Sequence, residues 1–90
     1  MLTEVQKNAL YNRVNVIVRL GQCVGLVLNG ADYYGIISYY ENLAMTQGFE
    51  NTIQKLDNFR RLINKSTIGP ILLTMVNSAR KYENQKQLVR

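Results

Sequence analysis

Winding the first thirty residues at 100° per residue gathers Val5, Ala9, Leu10, Val16, Ile17, Leu20, Cys23, Val24, Val27 and Leu28 into one arc of about 140°. Glu4, Lys7, Asn8, Tyr11, Asn12, Asn15, Arg19 and Gln22 fall on the opposite side. The centre of this stretch, Val14-Asn-Val-Ile-Val-Arg-Leu20, alternates and is β-branched, so taken alone it passes as a strand. Only a helix accounts for its full length, with Gln6, Arg13 and Leu26 as the residues that do not fit. The pattern therefore predicts a helix over 3–29, opened by a Thr3/Gln6 capping box and stopped at Asn29-Gly30.

The same construction predicts three more helices. From Asp32 as N-cap to Gln47-Gly48, Tyr33, Ile36, Ile37, Tyr39, Tyr40, Leu43 and Ala44 share a face, while Tyr34, Gly35, Ser38, Glu41, Asn42 and Thr46 share the other. A third helix, 51–65, starts at Asn51 with Gln54 in capping-box position and turns Ile53, Leu56, Phe59, Leu62 and Ile63 inward. A fourth, 67–86, tolerates Pro70 in its first turn and repeats Ile68, Ile71, Leu72, Met75, Val76, Ala79 and Tyr82 at helical spacing. Beyond Tyr82 the apolar pattern weakens, with only Leu88 and Val89 near the end, so the last turns are expected to project or to need a partner.

Short connections favour antiparallel neighbours, so the fold class expected is all-α. It is a small four-helix array within a single domain over 1–90, with a long first helix of about 40 Å as its spine. The alternative is α+β with a short meander at 14–40, since Asn29-Gly30 is also a hairpin signal.

Composition narrows the function classes. With 47% apolar and 19% charged residues the chain is that of a folded protein, and at 90 residues its core is small. A single cysteine and no histidine leave neither a disulfide framework nor a zinc ligand set, which points to a reducing, cytoplasmic or other intracellular setting and to no metal. The opening residues do not read as a signal peptide, and no apolar stretch reaches the ~20 residues a bilayer needs. No membrane partner is expected. The net charge of +5 is uneven: Asp32, Glu41 and Glu50 stand without a cation over 31–50, whereas 51–90 holds eight cations against Asp57 and Glu83.

Catalysis needs a proton-shuttling or nucleophilic group held beside a second group that tunes it, and no such set is present. Cys23, central in the predicted apolar arc, is expected to be an inert core thiol. No catalytic residue and no cofactor are therefore expected. Gly21 and Gly25 have a small-xxx-small spacing suited to a helix-crossing notch or a self-association seam.

Two binding readings remain. In the first the chain is an accessory or assembly subunit that contacts another protein, or itself as an oligomer, with Tyr11, Arg13, Tyr34 and Tyr39 as contact candidates. Tyrosine is favoured at hot spots, and Arg13 on an apolar face has to snorkel, pair with a carboxylate such as Glu41 or Asp57, or meet a partner's acid. In the second the basic half binds nucleic acid without sequence preference through Lys55, Arg61, Lys65, Arg80, Lys81 and Lys86. A charged helix face is more often simply solvated, and Asp57 stands i,i+4 from Arg61.

Overall fold

The computed structural model describes the backbone of residues 1–88 and the side chains of residues 1–86. It contains α1 (Glu4–Gln22), α2 (Gly30–Gln47), α3 (Phe49–Leu62) and α4 (Ile68–Leu88), with no strand among the described residues. The all-α array is thus the fold, and the meander at 14–40 is not formed. Val89 and Arg90 lie outside the described residues, and α4 continues through the polar stretch after Tyr82 as one helix.

The first helix opens as its sequence dictates: the Thr3 hydroxyl accepts from the Gln6 amide while the Gln6 side chain accepts from Thr3 N–H. It ends at Gln22, seven residues before the predicted stop. The Leu26 N–H bonds Gly21 O at 2.9 Å and the Gly25 N–H bonds Gln22 O at 3.0 Å. With Gly25 at φ 86°, this is a Schellman ending. Asn29-Gly30 does not stop α1 but starts α2, where the Asn29 side chain accepts from Asp32 N–H at 2.7 Å.

The buried face of α1 also differs from the predicted one. Leu10, Val14, Ile17, Val18 and Gly21 are inside, whereas Val5 and Val16 are exposed. The true face is rotated about 90° from the predicted arc: it takes in Val14, Val18 and Gly21, which that arc left out, and turns Val5 and Val16 to solvent. Cys23 is exposed, not a core thiol.

Gly48, at φ 102°, breaks the chain between α2 and α3, so α3 begins at Phe49. Asn51 is consequently inside the helix and donates to Gln47 O at 2.8 Å in place of capping. Thr52, buried, donates its hydroxyl to Gly48 O at 3.0 Å. α3 stops at Leu62, not at 65, and Leu62 points outward. The turn into α4 is closed by Asn64 and Thr67: the Asn64 side chain accepts from Ser66 and Thr67 N–H, and the Thr67 hydroxyl accepts from Asn64 N–H.

The core joins all four helices through Leu10, Ile17, Ile36, Tyr40, Leu56, Leu72 and Met75. α1 and α2 run antiparallel, since Tyr33 of α2 meets Asn15 of α1 and Glu41 meets Tyr11. Both pack against α3 and α4, which themselves make only marginal contact. The third and fourth helices therefore flank the α1/α2 pair.

Candidate functional site

The segment Cys23–Asn29 is the least expected part of the surface. Loops ordinarily carry polar side chains, yet here Val24, Leu26 and Val27 are exposed, Val27 to 75%. Two glycines let this loop lie close to the bundle. A Cβ on Gly21 would collide with the Leu72 side chain and approach Leu26 Cβ at 3.6 Å, and one on Gly69 would lie 3.8 Å from Leu26 Cδ1. Leu26 thus covers Gly21 and Gly69, the ends of α1 and α4. Gly25 serves as the stop of α1, so Gly21 and Gly25 form a notch and a turn instead of one helix seam.

A hollow opens on each side of the loop. The larger, about 420 Å³, runs between Leu26-Val27-Leu28 and the α4 stripe Gly69, Leu72, Leu73, Val76 and Arg80. Leu73 is 59% exposed on its rim. At one end the Arg80 guanidinium grips Asp32 with both carboxylate oxygens, Nε to Oδ1 at 3.3 Å and Nη2 to Oδ2 at 3.0 Å. The smaller, about 240 Å³, is lined by Leu20, Cys23, Val24, Ile63 and Ile68 with Arg60 and Lys65 at its margin.

The contact candidates read from the sequence separate. Tyr34 is 70% exposed and stands in a T-shaped arrangement with Tyr33, ring centroids 5.5 Å apart. Tyr39 is half-buried between Tyr40 and Tyr82 in edge-on contacts. Tyr11 donates to Glu41 Oε1 at 3.0 Å; desolvation first, and that bond to a carboxylate second, raise its phenol pKa. Arg13 pairs with Asp57 at 3.0 Å and also donates to Ala9 O at 3.2 Å, so its charge is answered within the chain. Tyr34 is the candidate left free to meet a partner.

The basic candidates divide as well. Lys55, Arg60, Arg61 and Lys65 are exposed on or just after α3, where Arg61 contacts Asn58 and Asp57 turns to Arg13. Arg80, Lys81 and Lys86 lie on α4, with Arg80 held by Asp32 and Lys86 6.0 Å from the Tyr82 ring centre. Ile68 to Lys86 spans about 27 Å of helix, so Lys65 and Lys86 stand at opposite ends of α4. Since α3 and α4 flank the central pair, the two groups do not merge through direct packing.

Among the described residues no cluster of three or more His, Cys, Asp or Glu could hold a metal ion, and no helix is long and apolar enough to cross a membrane. A scan against protein families and searches of curated proteins and of solved structures each return no match. The loop-end surface was not singled out from the sequence because a helix through residue 28 absorbs its apolar residues. The signals against that helix were present in Leu26 and Arg13, two of the three misfits of the predicted arc, and in Gly25.

Proposed function

We propose that this chain is a non-catalytic protein-binding subunit, an accessory or assembly component that works through its surface. What carries the reading is the exposed apolar loop end, Val24, Leu26, Val27 and Leu73 around two hollows, in a domain whose small core leaves little apolar surface to spare. Tyr34 adds a second exposed anchor of the residue type enriched at hot spots. The lack of a nucleophile and base pair in the sequence supports the non-catalytic part.

The test is size-exclusion chromatography with light scattering, run beside affinity capture from the native extract. A specific, stoichiometric complex with another protein or a defined oligomer is expected. A monodisperse monomer that captures nothing overturns the reading. Nucleic-acid binding has the exposed α3 cations in its favour, and its support is weakened by the separation of the α3 and α4 groups.

A further inference from the structure

We infer that the groove between the Leu26–Leu28 loop and α4 receives an acidic, amphipathic segment of another protein. The inference rests on the protein-binding reading and names the chemistry of the partner. Gly69, Leu72, Leu73, Val76 and Arg80 follow the i, i+3, i+4, i+7, i+11 spacing of one helix stripe, so the groove extends about 17 Å along α4. That length matches two to three turns of a helix laid into it, the arrangement in which apolar side chains at i, i+3/i+4 and i+7 act as anchors. Leu72 and Val76 supply a buried floor, and Val27 and Leu73 supply walls.

Charge selects among occupants. The carboxylate lining this groove, Asp32, already has both oxygens on Arg80, whose side chain is still 60% exposed. A guanidinium has five N–H donors, and the groups that do not face Asp32 can take a second carboxylate. Across the loop Arg60 and Lys65 border the neighbouring hollow with no carboxylate lining it. Taken over the two hollows, the lining charges are Arg60, Lys65 and Arg80 against Asp32, an excess of cations. A second copy docked face to face would bring these cations together, and the net charge of +5 opposes self-association generally. A lipid surface would be met by a convex apolar loop, whereas Leu26 is packed down over Gly21 and Gly69 and leaves concave hollows on both sides.

The test uses the full chain as bait for a phage library of random 16-residue peptides, followed by fluorescence-anisotropy titration of the selected peptides. Selected sequences are expected to combine apolar residues at three- and four-residue spacing with at least one Asp or Glu. Their affinity should fall at least tenfold on Leu73→Asp and several-fold between 50 and 300 mM salt. Circular dichroism checks the variant's fold, and Val27→Ser, in the exposed loop, provides an independent second variant. Selected peptides without acidic residues, or affinity unchanged from the parent chain in both variants, overturn the inference. So do self-association abolished by Leu73→Asp, which makes a second copy the occupant, and phosphatidylserine vesicles that bind the chain and displace the peptides. Should Leu73→Asp and Val27→Ser still capture the protein partner found in the native extract, the groove is excluded while the protein-binding reading stands.

Discussion

Val14, Ile17 and Val18 lie nine or ten residues before Val24, Leu26 and Val27 in the same apolar run, and the two trios have opposite fates. The first is sealed in the core and the second is exposed. Side-chain chemistry does not distinguish them. What differs is place on the backbone: Val14, Ile17 and Val18 stand on the buried face of α1, whereas Val24, Leu26 and Val27 follow its last residue, Gln22, in the Schellman turn around Gly25 that takes the chain off the helix axis. Hydrophobicity supplies the tendency to be buried, and chain direction decides which residues realise it.

The largest effect should separate the core from the loop end. Met75→Ala, at a site with no solvent exposure, is expected to lower the unfolding free energy by about 2–5 kcal/mol in urea titrations. Val27→Ala should stay within about 0.5 kcal/mol. Equal losses would mean that the loop is part of the cooperative core, and the contrast would fail.

A pH titration sharpens the same contrast. Tyr40 is 2% exposed, and desolvation, with Tyr39 nearby, raises its phenol pKa well above the ordinary value of 10. Above about pH 10 the unfolded chain releases this proton while the folded chain keeps it, so stability falls with rising pH. The slope is about 1.4 kcal/mol per unit for each such group. Below pH 10 both states hold the proton and this contribution to stability is fully present. Tyr40→Phe should remove most of the alkaline slope seen in chemical denaturation, and Val27→Ser should leave it intact.

Gly25→Ala tests the turn itself. Nothing lies within 4 Å of the added Cβ, so the cost comes from the positive φ alone and should be about 1 kcal/mol, read as a lower thermal midpoint with an unchanged far-ultraviolet spectrum. The smallest effect belongs to Arg13→Ala. Its partner Asp57 is half-exposed, and denaturant titrations should show about 1 kcal/mol or less.

How much of this was legible in the sequence follows from which physical signals are local. The Thr3/Gln6 box and the tyrosine face of α2 depend on neighbours three or four residues away, and they appear as read. The end of α1 was misplaced because Asn29-Gly30 and Gly25 are both plausible stops, and the apolar run between them favoured the later one. Arg13 meeting Asp57 was among the pairings open to sequence, since an arginine on an apolar face requires an acid, yet the choice between Asp57 and Glu41 depends on how α3 crosses α1. The groove was not legible, because it needs Leu26 to fold back over Gly21 and Gly69, which are 48 residues apart in the chain.

That folded-back leucine has a thermodynamic consequence. The amides of Val24, Gly25 and Leu26 are tied to α1 carbonyls at 2.9–3.0 Å, so the wall of the hollow is fixed before anything enters it. A ligand arriving there loses its own freedom but finds a receptor with little left to lose, and slow amide exchange at Leu26 in the free protein would be the mark of that readiness.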